Sequence, residues 1–242
     1  LLAVACRSEP PPSKPAAPSA APLPSAAVAR PVPLRVERRA VEGRPYRLFE
    51  PVTASFALTL KRPTERDASV VLCVAGTYTS PENDVEGIVF LDGKRVRDRA
   101  QKWEGMLSIE DGRARVEHRA PSTFDAAAFE RYGRRKTSLV QGHLLVDAGR
   151  PTKLKESPEL YRRGIVTVDS GRSFVVESAE PVKLARFATD LAALGATAAL
   201  NLDMGAWDEG WYRDESGAVV QLGHDRSHTE RQSNWLVLRR SP

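Results

Sequence analysis

The sequence holds few of the residues from which familiar metal, nucleotide and hydrolase motifs are built. Of 242 residues, two are cysteine and four are histidine, and aromatic residues make up 7%. No Cys-x-x-Cys pair occurs, and although His224 and His228 stand at His-x-x-x-His spacing, neither they nor His143 have a third ligand at a recognisable spacing, so no metal is expected. Walker and Rossmann glycine signatures are missing, and with them the common nucleotide and dinucleotide readings; no cofactor is expected. Gly-x-Ser-x-Gly is missing too, which removes the usual serine-hydrolase elbow. No apolar run reaches 18 residues, so no segment of the given sequence reads as a transmembrane helix. Charge is not concentrated: the net charge is +5, and the Arg-Arg pairs at 38–39, 134–135, 162–163 and 239–240 form no basic block interleaved with aromatics. Nucleic acid is therefore not an expected partner. Cys73 lies in the apolar run Val-Val-Leu-Cys-Val-Ala. It reads as a small core residue, because apolar burial raises a thiol's pKa and quiets it as a nucleophile.

What is present is enough apolar material, 41% of residues beside 28% charged, for one sizeable core. The opening Leu-Leu-Ala-Val-Ala-Cys resembles the end of a secretory apolar region running into a bacterial lipobox, with Ala3 where a Leu is usual. On that reading residues 1–6 end a signal peptide and Cys6 is lipidated, anchoring the protein to a membrane without spanning it. Residues 7–33 are almost entirely Pro, Ala and Ser with a few charges, a composition that stays extended and buries nothing. The expected layout is a disordered tether over 7–33 and a folded domain over 34–242. The expected location is the bacterial cell envelope, periplasmic or at the cell surface.

Alternating or continuous apolar segments predict strands at Leu34–Val36, Arg47–Phe49, Ser55–Leu60, Ser69–Ala75, Ile88–Leu91, Lys94–Val96, Met106–Ile109 and Ala114–His118. Asp92-Gly93 and Asp111-Gly112 are hairpin signals between them. Thr123 to Arg135 reads as a helix with Thr123 as its N-cap, and Leu139–Val146 as one strand. Gly164–Val168 and Ser173–Glu177 read as a hairpin, Pro181–Leu194 as the clearest helix, Ala198–Leu202 as a buried strand, and Trp235–Leu238 as the last strand. The sum is an α+β domain, strand-rich, with a mixed or antiparallel sheet and two main helices.

One order of segments stands out. Ala75-Gly76 follows a buried strand, and Glu86-Gly87-Ile88-Val89-Phe90-Leu91-Asp92-Gly93 follows about ten residues on. Val140-Gln141-Gly142-His143-Leu144-Leu145, then Arg162-Arg163-Gly164-Ile165-Val166, then a helix, then Ala199-Leu200-Asn201-Leu202-Asp203-Met204-Gly205 complete it. This series resembles the phosphodiester glycosidase domain family, over roughly residues 45–240. The resemblance implies an α+β fold and hydrolysis of a glycosyl-1-phosphodiester bond in an envelope or extracellular glycan. Cleavage at an anomeric carbon builds oxocarbenium character that carboxylates stabilise, and a phosphate is well held by an arginine fork.

Carried onto this chain, the resemblance implies Asp203 as the carboxylate, Arg162 as the phosphate clamp with Arg163 as fallback, and Glu86 as a second carboxylate. Gly76 and Gly205 are expected to let backbone approach the substrate, with Gly142, His143 and Asn201 also among the substrate-binding residues. Tyr78, Trp207 and Trp211 are expected to stack on the sugar. The chain departs from the family pattern at Val74, where Asn is usual, at Met204 inside the Asp-Gly-Gly motif, and at His143, where Pro is usual. Those departures keep a second reading open: a catalytically degenerate carbohydrate-binding or envelope interaction lipoprotein of the same fold. Asp203 also reads as a simple strand-to-loop corner, and both tryptophans as core residues.

Overall fold

The computed structural model describes residues 32–203, 210–223 and 229–240. In chain order the first strands are β1 (Leu34–Val41), β2 (Arg44–Pro51), β3 (Ala54–Thr59), β4 (Val70–Ala75), β5 (Ile88–Leu91), β6 (Lys94–Asp98), β7 (Gly105–Glu110) and β8 (Arg113–His118). Helix α1 (Ala126–Arg135) precedes β9 (Ser138–Gly142), β10 (Leu144–Asp147), β11 (Arg150–Pro151), β12 (Arg163–Val168) and β13 (Ser173–Ser178). Helix α2 (Leu184–Ala193) precedes β14 (Ala196–Leu202), β15 (Gly210–Arg213), β16 (Val219–Leu222) and β17 (Trp235–Arg240). The fold is α+β and strand-rich, with two helices.

The strands form three sheets. One has seven strands in the order β1-β2-β13-β12-β14-β10-β11; two have five, ordered β16-β15-β4-β17-β3 and β6-β5-β9-β7-β8. All the pairings between these strands are antiparallel. Their inner faces enclose one core, to which Phe49, Ile165, Val175 and Leu200 come from the first sheet, Leu72, Val74 and Leu236 from the second, and Val89, Leu107 and Val140 from the third. Strand β4 is buried along its whole length because it also has a covered outer face, where Cys73 packs with Trp211, Trp235 and Val237. The Asp92-Gly93 and Asp111-Gly112 turns have positive φ at both residues, as a two-residue hairpin requires.

Both helices start later than their sequence suggests, and hydrogen bonds explain why. The N-cap of α1 is Asp125, whose carboxylate accepts from the Ala128 N–H at 2.7 Å, while the Thr123 hydroxyl is spent on the Ala120 carbonyl at 2.7 Å. Before α2, Val182 exchanges backbone hydrogen bonds with Leu160, so Pro181 cannot open a helix; the Leu184 N–H is instead capped from a distance by Ser157 Oγ at 2.8 Å. Phe187, Ala188 and Leu191 then bury the helix against the outer face of the seven-stranded sheet. Asp190, 1% exposed, ties α2 to β2 through a two-pronged bond from Arg44 (2.7 and 2.9 Å) and one from the Tyr46 hydroxyl (2.5 Å). Burial opposes the charge on Asp190, but these donors hold its carboxyl below the usual range.

The segment 139–146 is not one strand. It ends as β9 in one five-stranded sheet at Gly142 and resumes as β10 in the seven-stranded sheet at Leu144, with His143 alone at the crossing. The crossing is tight: a side chain at Gly105, opposite Gly142, would sit 2.4 Å from Leu200 Cδ1 and 2.8 Å from the Gly142 carbonyl.

Candidate active site

Strand β14 runs through the seven-stranded sheet between β12 and β10 and ends in Asn201-Leu202-Asp203. Leu202 is fully buried in the central core, so strand alternation sends Asn201 to the opposite face and Asp203 after it. Three bonds tie this end to two other segments. The Asn201 N–H donates to the His143 carbonyl at 2.9 Å, its Nδ2 to the Tyr78 hydroxyl at 2.6 Å, and the Asp203 N–H to the Gly76 carbonyl at 2.8 Å. The loop leaving β4, the crossing at His143 and the end of β14 thus meet at one point.

Asn234, just ahead of β17, fixes the β4 loop. Its Oδ1 accepts from the Thr77 N–H at 2.7 Å, its Nδ2 donates to the Thr77 carbonyl at 2.9 Å, and its own carbonyl accepts from the Gly76 N–H at 3.1 Å. A Cβ on residue 76 would lie 2.2 Å from Asn234 Oδ1, so only glycine admits this clamp. Gln232 Nε2 adds a bond to the Asn234 carbonyl at 2.9 Å, and the Thr77 hydroxyl donates to the Gln141 carbonyl at 2.8 Å.

Three aromatic rings, all partly exposed, close one side. Tyr78, Trp103 and His143 touch pairwise, with centroids 4.8 Å (Tyr78–Trp103), 5.5 Å (Tyr78–His143) and 5.3 Å (Trp103–His143) apart. Burial lowers the His143 pKa, so at neutral pH its ring is uncharged. Burial raises the Tyr78 hydroxyl above its ordinary value; the bond from Asn201 and the charge of Arg162 oppose the rise and the charge of Asp203 adds to it, so the phenol keeps its proton. Tyr78 therefore stands within the electrostatic reach of both an acid and a base.

Those two are neighbours by register. Arg163 pairs with Leu202, which makes Arg162 and Asp203 the next positions along the two strands. Arg162 is half-buried, and its fork is braced by neutral acceptors: Nε donates to the Val182 carbonyl at 3.1 Å and one terminal nitrogen to the Pro158 carbonyl at 2.7 Å. Among the described residues no carboxylate pairs with it. Asp203 is 6% exposed, so its charge acts through a medium far less screening than water. The arrangement holds a nearly buried carboxylate, a cation without a carboxylate partner, a protonated phenol and an uncharged imidazole around one point.

The model of the phosphodiester glycosidase family matches residues 68–235. This chain belongs to that family. Among solved structures it is similar to the catalytic domain of zebrafish N-acetylglucosamine-1-phosphodiester alpha-N-acetylglucosaminidase, auto-inhibited by its pro-peptide. The TM-score is 0.60 at 13% identity, over 86% of this chain and 82% of that one. It is also similar to a hypothetical protein from Synechocystis, with a TM-score of 0.58 at 14% identity over 86% of this chain and 62% of that one. No curated protein matches.

The expected site residues fall as follows. Asp203, Asn201, Gly76, Tyr78 and His143 come together directly, and Arg162 lies at the adjoining strand end. Glu86, partly exposed, is tied to the group by its N–H, which donates to the Tyr78 carbonyl at 2.8 Å. Arg163 is no clamp: it is fully buried and spends its fork on Glu177, which also accepts from Arg47. Burial works against the Glu177 charge, yet the two arginines hold its pKa below the carboxylate range.

Three further expectations need correction. Trp211 walls no cleft; it is 0% exposed on the outer face of the second sheet, beneath the Arg213 guanidinium at 5.6 Å. Gly142 is a packing residue, since a Cβ there would lie 3.2 Å from Leu200 Cδ2. The close approach that Gly76 permits is likewise to Asn234 and not to open space. Gly205, Trp207 and Cys6 lie outside the described residues. Sequence reasoning passed over Trp103, Gln141, Gln232 and Asn234. Gln141 had left a signal, a lone amide inside the apolar run Leu139-Val140-Gln141-Gly142.

Proposed function

We propose that this chain hydrolyses a glycosyl-1-phosphodiester by breaking the bond between the anomeric carbon and the bridging oxygen. Water adds to the anomeric carbon, and the products are a free sugar and a phosphomonoester. Asp203 stabilises the positive charge that grows on the sugar, and its near-burial strengthens that effect. Arg162 takes the phosphate oxygens; its bonds to neutral acceptors orient the fork without neutralising it. The Tyr78 hydroxyl, already accepting from Asn201, has its proton to donate to the substrate. Asn201 Oδ1 is buried and accepts no hydrogen bond among the described residues, which suits it to a sugar hydroxyl. Glu86 is the second carboxylate of this scheme. Export, lipidation at Cys6 and a tether over 7–33 would place the substrate in the cell envelope.

The observation that carries this reading is the meeting of Asp203, Tyr78 and Arg162 at one strand end in a chain of this family. Val74, where the family carries an amide, points into the central core, and the amide beside Gly76 and Thr77 comes from Asn234. The test is hydrolysis of nitrophenyl diesters of several sugar-1-phosphates in ¹⁸O-water. The reading expects reducing sugar together with a phosphomonoester free of label, and a loss on the order of 10²–10³ in kcat for Asp203→Asn. Label in the phosphate would mean phosphodiesterase chemistry. Saturable binding without turnover would mean the degenerate carbohydrate-binding module.

A further inference from the structure

We propose that the loop Arg99–Glu104 is the sugar-facing wall of the site, with Trp103 the ring on which the substrate sugar stacks and Gln141 the residue that holds Trp103 in place. The inference rests on the glycosidase reading and names the part of that site which selects the sugar. Three observations carry it.

The loop joins β6 to β7; its last residue is held by the Arg119 N–H, which donates to the Glu104 carbonyl at 2.7 Å, and its middle by one buried side chain. Gln141, 0% exposed in β9, donates from Nε2 to the carbonyls of Gln101 (2.9 Å) and Trp103 (2.7 Å), and its Oε1 accepts from the Gln101 N–H at 2.9 Å. One amide thus does for the loop what a neighbouring strand does for a strand. A buried polar group so fully used fixes position to a fraction of an ångström, as a binding wall requires.

Space for the indole has been kept clear. Gly87, at φ +80°, faces it, and a Cβ there would lie 3.3 Å from Trp103 Cζ3. The ring lies against Tyr78 and His143 yet remains partly exposed, whereas Trp211 and Trp235 are fully buried. A tryptophan held partly exposed by a dedicated clamp presents a flat apolar surface of the kind a pyranose face covers.

The loop's charge fits the other half of the ligand. Arg99 and Lys102 are exposed and have no carboxylate partner among the described residues, while Glu104 reaches His118 at 3.8 Å. A ring beside two unpaired cations suits a sugar carrying a phosphate.

The test uses the full chain, titrated calorimetrically with the 1-phosphates of glucose, galactose, mannose and N-acetylglucosamine, alongside hydrolysis of the matching diesters. Trp103→Ala is expected to weaken binding of the preferred sugar about tenfold or more, with Trp103→Phe retaining most of the affinity and the melting temperature little changed. Gln141→Leu, which keeps the ring and frees the loop, is expected to raise KM by a similar factor with a smaller change in kcat. If the wild type responds to a sugar and Trp103→Ala responds equally, Trp103 is only packing and this inference falls while the glycosidase reading stands. If the wild type neither binds nor hydrolyses any member of the panel, both fall.

Discussion

Replacing Gly76 by alanine perturbs the site without touching a charged group. The added methyl would sit 2.2 Å from Asn234 Oδ1, which is pinned by its bond to the Thr77 N–H on one side and by Nδ2 to the Thr77 carbonyl on the other. The contact is too short to persist, so Asn234 must give way. Overpacking of this kind costs about 1–3 kcal/mol. Asn234→Ala alone strands the N–H and weakens the pairing of the carbonyl on Thr77, which is 0% exposed, at roughly 2–4 kcal/mol for the two groups. In the double variant the methyl has nothing to strike, so its stability should stay near that of Asn234→Ala. The coupling between the two sites should then be about 1–3 kcal/mol in urea unfolding. Turnover should follow, because the Gly76 carbonyl holds the Asp203 N–H at 2.8 Å and any shift of residue 76 moves the carboxylate. Gly76→Ala should lose activity that Asn234→Ala partly restores. Single variants whose costs add to within about 0.5 kcal/mol would refute the clamp.

Three further outcomes are expected. Glu177→Ala leaves Arg163 charged and 0% exposed, which should cost about 3–5 kcal/mol and lower Tm by roughly 6–20 °C, whereas the apolar pair Arg163→Met with Glu177→Leu should recover most of it; calorimetry decides. His143 has its pKa lowered from 6.5 by burial, so the unfolded chain takes up its proton first as pH falls. Its contribution to stability is complete above pH 6.5 and is lost as pH drops toward the folded-state value, so urea midpoints between pH 7.5 and 5 should fall more steeply for wild type than for His143→Gln. Parallel curves would show that burial of the ring is not felt. Trp211→Ala should cost about 3–5 kcal/mol of stability with KM unchanged, and the reverse pattern would return Trp211 to the substrate.

The parts of the fold governed by local chemistry were legible in the sequence. The Asp-Gly pairs mark hairpins because both positions need positive φ, and the unbroken apolar run of β4 matches a strand covered on two faces. The helix stripe Leu184, Phe187, Ala188, Leu191 shows the face that α2 buries. The change of sheet at His143 was not legible, since Leu139–Val146 is mostly apolar on both sides of that residue and nothing local says which neighbours each half will find. Trp211 was misplaced because tryptophan suits a core and a cleft equally; what decides is register, and Trp211 pairs with Cys73 on a covered face. Asn234 stands far along the chain from the loop it clamps, and a single amide before a terminal strand gives no hint of a partner 157 residues away. Position in a motif brought Asn201 and Asp203 to notice, and aromatic character Tyr78, whereas the side chains that hold them in place are fixed by contacts between distant segments.

The passage of the chain through His143 has a consequence for how this molecule can vary. On one side of that residue Gly142 is in step with Gly105, and on the other Leu144 is in step with Leu200. A single residue is the entire slack between two independently registered ladders. A deletion there would pull one ladder out of phase, and an insertion would push the imidazole away from Tyr78 and Trp103. Here chain length is as constrained as residue identity. Variants differing by one residue at this crossing should lose the site and the joint between two sheets in the same event.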